Sequence, residues 1–348
     1  MAAGRLKPVR QACSHITENR LAARRNVTLR LRPSETTFPF SDGLPTFNGF
    51  AENMNPPAAL RQITLIGVGL IGGSFALDLK RLGLVEKVVG IDLSRSNLDR
   101  ALERGVIDEA FDTVNEDNIG AADLVLIATP VSTLSAICRS IAPFLKAGTL
   151  VSDVGSTKQS ALEAFRDCLP GHLPYCIAAH PIAGSDRSGA LAAQFGLYQG
   201  KKLIITPHGR EDSDGLCRLE SLWQAVGAET YRMSAAEHDA VFAAVSHMPH
   251  LLAFAFVHQI LDHPAGQTYL KFAATGFRDF TRIASSHPAI WTDICMANKN
   301  SLLDLIGGLH AQLGVLKDIL ETGDRPALYR YLEEAKQTRD DWQANQPL

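Results

Sequence analysis

No two cysteines in this chain stand at C-x-x-C spacing. The six, Cys13, Cys138, Cys168, Cys176, Cys217 and Cys295, are scattered. That usage fits a reduced compartment, and it offers neither a zinc ribbon nor a redox dithiol. H-E-x-x-H is missing too, so no zincin-type centre is expected. No uninterrupted run of eighteen apolar residues occurs, so neither a transmembrane helix nor a membrane partner is expected. An excess of one charge is also lacking: 34 Lys and Arg stand against 37 Asp and Glu, a net charge of −3. Such a balance leaves no electrostatic footprint for nucleic acid. Repeats and low-complexity tracts do not stand out, which argues against a solenoid. What remains is a cytoplasmic globular protein. Its 348 residues suffice for two domains with sizeable cores.

The N-terminal stretch differs from the rest. Up to Pro33 it carries Arg5, Lys7, Arg10, Arg20, Arg24, Arg25, Arg30 and Arg32 against a single acid, Glu18. It shows no sustained apolar period, and Pro33, Pro39, Pro45, Pro56 and Pro57 punctuate its exit. An arginine-rich, acid-poor segment reads either as an organelle transit peptide or as an extension with Met54 as the working start. In both readings residues 1–57 form a disordered or dispensable extension outside the fold.

The segment Ile63-Thr-Leu-Ile-Gly67-Val-Gly69-Leu-Ile-Gly72-Gly-Ser is the most informative stretch. A β-branched run enters a glycine-rich turn, and a helix-forming run leaves it. Gly67 allows the tight turn, Gly69 lets backbone approach a pyrophosphate, and Gly72 lets helix pack on strand. The N–H groups at the helix start, around Leu70 and Ile71, would hold phosphates. Asp92 lies twenty residues past Gly72, at the end of Val88-Val-Gly-Ile-Asp92. Its carboxylate can accept both ribose hydroxyls and would repel a 2′-phosphate, which favours NAD. Arg95 nearby pulls towards NADP. A glycine-rich turn without ligand is the bland alternative.

From Arg61 onward the pattern is βαβ. Strands are predicted over 63–67, 87–92, 123–128, 149–153, 176–180, 202–206 and 229–233. Helical periods fill 72–83, 96–104, 132–144, 157–167 and 212–226. The fold class is α/β: a Rossmann-type, doubly wound, mostly parallel sheet over residues 58–233. An all-helical dimerisation domain follows over 234–345, with helices at 234–262, 265–274, 288–321 and 324–342. The third begins at a Ser286-His287-Pro288 cap. Its apolar positions Leu302, Leu305, Ile306, Leu309, Leu313, Leu316 and Leu320 recur at threes and fours. They suit a core helix, or a helix packed across a dimer two-fold.

Several candidate residues fall at strand ends, where open α/β sheets bind ligands. Thr129 and Pro130 form a turn beside the expected cofactor. Ser156, in Asp153-Val-Gly-Ser156-Thr-Lys158, can cap the next helix, bind a substrate hydroxyl, or both. Lys158 reads as solvated. His180 ends a buried strand and is followed by Pro181-Ile-Ala-Gly184-Ser185-Asp186. A neutral imidazole there can accept the proton released as hydride leaves a carbinol carbon. His238, His247 and His250 raise a zinc reading, but no further ligand completes a familiar spacing, so no metal is expected. Gly276-Phe277-Arg278-Asp279-Phe280-Thr281-Arg282 reads as a charged turn. Arg282 either grips a carboxylate or pairs with Asp279.

Taken in order, G-V-G-L-I-G-G-S, D-V-G-S-T-K, A-H-P-I-A-G-S, E-H-D, S-H-M-P-H and G-F-R-D-F-T-R-I-A resemble the prephenate/arogenate dehydrogenases of tyrosine biosynthesis. The resemblance covers about residues 61–342 and implies an NAD-dependent, homodimeric cyclohexadienyl dehydrogenase. It implies that His180 takes the proton of the ring 4-hydroxyl while Ser156 orients that hydroxyl. It places Arg282 on a substrate carboxylate, with His238, His247 and His250 lining or supporting the site. Ser185 and Asp186 stand where many relatives carry Thr-Glu, which leaves that loop's role open. Trp291 is expected beneath the active-site helix. No appended regulatory domain is expected, so any tyrosine inhibition would act at the active site.

Prephenate suits these residues chemically. Hydride loss from its carbinol carbon gives a dienone, and loss of carbon dioxide then gives a phenol. Prephenate and arogenate remain unresolved as substrates. The competing enzyme reading is a β-hydroxyacid dehydrogenase, for which Lys299 would be the catalytic base. An NAD-binding sensor without turnover is the non-enzyme reading.

Overall fold

Leu60–Ile66 is a run of largely apolar side chains, stable as a strand only where both its faces are covered. It takes an interior place in an eight-stranded sheet of order β3-β2-β1-β4-β5-β6-β7-β8. The computed structural model describes residues 57–184 and 187–345. The expectation for residues 1–57 therefore lies almost wholly outside the described residues. The strands are β1 (Leu60–Ile66), β2 (Val85–Ile91), β3 (Glu109–Phe111), β4 (Leu124–Ile127), β5 (Leu150–Asp153), β6 (Cys176–Pro181), β7 (Lys202–Thr206) and β8 (Glu229–Arg232). All neighbours pair in parallel except β6 and β7. The order reverses at β1, between β2 and β4, and opens a crevice at the carboxyl edge of the sheet.

The helices of this half are α1 (Leu70–Arg81), α2 (Arg95–Glu103), α3 (Glu116–Ile119), α4 (Leu134–Ile141), α5 (Gln159–Cys168) and α6 (Ser213–Ala225). They cover both faces. One core gathers Phe75, Leu79, Leu98, Leu219 and Trp223; the other gathers Ile119, Cys138, Ile141 and Phe165. The doubly wound reading holds. Strand β3 and helix α3 were not foreseen, because three and four residues are too short to show a period. Reciprocal hydrogen bonds between Asn115 and Asn118 start α3 instead.

The C-terminal part is helical: α7 (Ala235–Phe242), α8 (Met248–Asp262), α9 (Gly266–Lys271), α10 (Thr275–Thr281), α11 (Pro288–Ala297), α12 (Lys299–Thr322) and α13 (Arg325–Ala344). A π-turn over Ala243–His247 joins α7 and α8 into one rod. Two expectations need correction. The helix predicted over 288–321 breaks at Asn298, whose side chain turns inward to the backbone oxygen of Asp239 (2.7 Å) and to Nδ1 of His247 (3.2 Å). The charged turn at 276–282 is helix α10, running into a 3₁₀ turn over Arg282–Ser285.

The rod Ala235–Asp262 bears on the expectation that no helix crosses a membrane. The rod spans 28 residues and its most apolar 18-residue window has a mean hydropathy of 1.7, long and apolar enough to cross a membrane by length and composition. His, Ser, Pro and Gln interrupt its apolar run without lowering the average much. Only 22 % of its most apolar window is buried. The spaced leucines of α12 divide in the same way. Leu302, Leu305 and Leu309 pack against the rod around Ala243 and Met248, whereas Ile306, Leu313 and Leu320 are exposed.

Candidate active site

Four turns reach the carboxyl edge of the sheet together, because β1, β4, β5 and β6 run in parallel. Gly67 has φ +89°, and a Cβ there would sit 2.6 Å from the backbone oxygen of Ala128. The first turn thus lies directly on the turn that carries Thr129 and Pro130. Gly72 is equally closed, since a Cβ would meet Leu65 at 2.4 Å. Gly69 is the opposite case, with nothing within 4 Å of its would-be Cβ. No side chain caps α1, so the N–H groups of Leu70 and Ile71 at its start are available to an anion. A pyrophosphate fits that open cradle.

Asp92 follows β2 on the same edge. It accepts from Val68 N (3.1 Å), Ser94 N (2.9 Å) and Asn97 Nδ2 (3.0 Å), so its carboxylate is held rigidly beside the glycine turn. Arg95, the feature that pulled towards NADP, is paired with Asp99 at 3.0 Å. The residues therefore fit a nicotinamide dinucleotide with a free 2′-hydroxyl.

His180 ends β6 and is half-buried. Its Nδ1 lies 2.9 Å from Nε2 of His238, whose Nδ1 lies 2.8 Å from Oδ1 of Asp239. Nε2 of His180 has no hydrogen-bond partner among the described residues. Burial, then the charges of His238, Lys158 and His247, push its pKa well below 6.5. The ring is neutral at neutral pH.

Behind it sits an ion pair that sequence reasoning missed. Lys158, read as solvated, is fully buried; its Nζ donates to Asp153 Oδ2 (2.5 Å) and to the oxygen of Ala179 (2.6 Å). Asp153 Oδ1 accepts from Ala179 N at 3.2 Å. The pair thereby grips the peptide on both sides of Ala179, next to His180. Burial lowers the Lys158 pKa, and Asp153 works against that shift.

Ser156 follows β5, on the strand adjacent to β6, and makes no hydrogen bond among the described residues. It does not cap α5. The N-cap position is Lys158, and the carboxylate of Asp239 serves instead, accepting from Lys158 N (2.7 Å) and Gln159 N (3.0 Å). No spacing in the sequence discloses that contact, because its partners are about eighty residues apart.

The rod brings the other histidines to the same region. His238 is fully buried with both nitrogens engaged, so it stands behind His180 and cannot itself touch a substrate. Burial lowers the pKa of His247 to about 4. His250 stacks on Trp291 with ring centroids 3.6 Å apart, and Arg282 adds to the lowering that burial imposes on it. Arg282 is exposed and makes no ion pair with Asp279 or any other described carboxylate. Ser185 and Asp186 lie outside the described residues. Lys299 is exposed at the start of α12. No group of three His, Cys, Asp or Glu side chains among the described residues is placed to hold a metal ion.

Comparison with known proteins shows the family to which these sequence motifs point. Residues 75–232 match the nucleotide-binding domain of prephenate dehydrogenase, and 234–334 match its dimerization domain. The prephenate dehydrogenase of Bacillus subtilis is 37 % identical over 80 % of this chain and 75 % of its own length. The cyclohexadienyl dehydrogenase of Zymomonas mobilis is 31 % identical over 80 % of this chain and 95 % of its own. Among solved structures, prephenate dehydrogenase from Aquifex aeolicus in complex with hydroxyphenyl propionate and NAD+ superposes with a TM-score of 0.76. It is 34 % identical, covering 81 % of this chain and 98 % of that one.

Proposed function

The chain belongs to the prephenate dehydrogenase family, and on that premise we propose that it catalyses the NAD-dependent oxidative decarboxylation of prephenate to 4-hydroxyphenylpyruvate in tyrosine biosynthesis. The observation that carries this reading is His180, a neutral imidazole on the carboxyl edge of the sheet whose Nε2 has no hydrogen-bond partner among the described residues. Bound in the crevice, the nicotinamide supplies the hydride acceptor.

The chain's own residues handle the proton. His180 Nε2 takes it from the 4-hydroxyl as the carbinol C–H bond breaks, and a dienone results. The bond to the ring carboxylate then breaks, carbon dioxide leaves, and the electron pair enters the ring. The oxygen becomes a phenolate and takes the proton back from His180. No proton is released overall, so the base needs only to store one. Ser156 orients the hydroxyl. Arg282 anchors a substrate carboxylate, while His250 and His247 shape the side-chain end against Trp291. One carboxylate and the hydroxyl are thus provided for.

The family's dimerization domain covers the helical part, and we assign residues 58–233 to NAD binding and 234–345 to substrate binding and homodimerisation. The exposed leucines of α12 and the bare flank of the rod would meet a second copy in a cytoplasmic enzyme. Arogenate is the second candidate substrate, and an arogenate dehydrogenase from Synechocystis superposes with a TM-score of 0.69 at 27 % identity. The test is turnover of the purified protein with prephenate or arogenate, each with NAD or NADP, followed by NADH (or NADPH) formation and product analysis. Prephenate with NAD should be the productive pair. Absence of turnover on both ring substrates would overturn the assignment.

A further inference from the structure

A proton acceptor must present a lone pair, and an imidazole does so at Nε2 in only one of its neutral tautomers. The structure shows what chooses between them. His180 Nδ1 faces His238 Nε2 at 2.9 Å, and His238 Nδ1 faces Asp239 Oδ1 at 2.8 Å. Burial alone would raise the Asp239 pKa. The hydrogen bonds from His238 and from the N–H groups of Lys158 and Gln159 outweigh burial and hold it below its usual range. An ionised carboxylate can only accept. His238 must therefore carry its hydrogen on Nδ1 and offer a lone pair at Nε2. His180 must then carry its hydrogen on Nδ1, which leaves Nε2 as the acceptor.

We propose that Asp239, acting through His238, fixes the tautomer of His180, so that both are positioning residues for the proton transfer. The proposal deepens the reading of His180 as proton acceptor and rests on it. The surrounding contacts make the chain rigid. Phe242 lies against both rings, with centroids 5.0 Å from His180 and 4.5 Å from His238. The backbone oxygen of Asp239 accepts from Asn298, so α7 is held from the α11–α12 junction while its carboxylate caps α5. The charged or titratable groups acting on the two rings are Lys158, His247, Asp153 and Asp239. Lys158 and Asp153 neutralise one another at 2.5 Å, which leaves Asp239 as the carboxylate that orients the chain.

A glutamine at position 238 can reproduce the polarity. Its amide N–H can donate to Asp239 while its oxygen accepts from His180 Nδ1. A leucine cannot. Asp239→Asn and His238→Leu should each lower kcat by roughly 100-fold or more, with KM for prephenate and for NAD within about threefold. His238→Gln should recover turnover to within about tenfold of the unmodified enzyme. Nitrogen-15 NMR of histidine-labelled protein reads the tautomer directly, with the His180 signals assigned by their loss in His180→Asn. The unmodified protein should show His180 protonated at Nδ1, and His238→Leu should abolish that preference.

Three results would overturn the proposal: an Nε2-protonated His180 in the unmodified protein, a tautomer unchanged in His238→Leu, or His238→Gln as impaired as His238→Leu. The NMR measurement on unmodified protein stands even if Asp239→Asn fails to fold. It is also independent of turnover, so failure of the substrate assignment and failure of the tautomer mechanism are told apart.

Discussion

Burial and the neighbouring charges keep the His180 ring neutral well below pH 6.5. The acid limb of kcat/KM, which reports the free enzyme, should therefore fall below that value. His180→Asn should keep NAD affinity, lose two to four orders of magnitude in kcat (roughly what general base catalysis supplies), and lose that limb. Arg282→Gln should act differently, chiefly raising KM for prephenate, because a carboxylate anchor works alike in ground state and transition state. Steady-state kinetics across pH separate the two roles; a reversed pattern would exchange them. At the dinucleotide end, Asp92→Ser should narrow the preference for NAD over NADP, because it removes the carboxylate that repels a 2′-phosphate. Side chains of this kind were legible in the sequence where their chemistry needs a fixed place in a motif, as with Asp92 and His180. Lys158 was not. Its environment is made by Asp153 and by the peptide of Ala179, and only the fold brings those to it.

Helices and strands long enough to show a period were read from the sequence. Those set by a single side-chain contact were not, as the break at Asn298 shows. The glycine turn offers a clean test of how position decides cost. Gly72→Val would drive its Cβ into Leu65, at a cost of about 1–3 kcal/mol in unfolding free energy. Gly69→Ala meets nothing within 4 Å among the described residues, so it should leave stability almost unchanged and raise KM for NAD. Urea titration beside NAD kinetics would show the split, and a destabilised Gly69→Ala would refute it. The π-turn over Ala243–His247 has its own signature. It inserts one residue into the helix. Deleting exposed Val245 should restore regular helix with His247 and His250 still close to their present phase, since the wide turn absorbs one residue. Folding and measurable turnover should both survive.

At the scale of the whole protein, the buried histidines tie stability to acidity. His247 titrates at about 4 in the fold against 6.5 unfolded, so the unfolded chain binds more protons between those values. Stability should thus be fully present above about pH 6.5, fall as pH drops towards 4, and level off below. His247 alone would account for about 3 kcal/mol of the fall. His180, His238 and His250 are shifted the same way. Urea unfolding at stepped pH measures the slope, and His247→Gln should flatten it. The proposed homodimer is open to a similar test: Leu313→Glu, on the exposed face of α12, should yield monomers in sedimentation analysis. The rod whose apolar window is only 22 % buried has one more consequence. Its interior carries His238, His247 and His250, and the proposed homodimer would cover its flank. Specific activity in that assembly would cease to be a property of the chain and become a property of its concentration. Below the dissociation constant of the pair, each dilution should lower activity per mole, and reconcentration should return it.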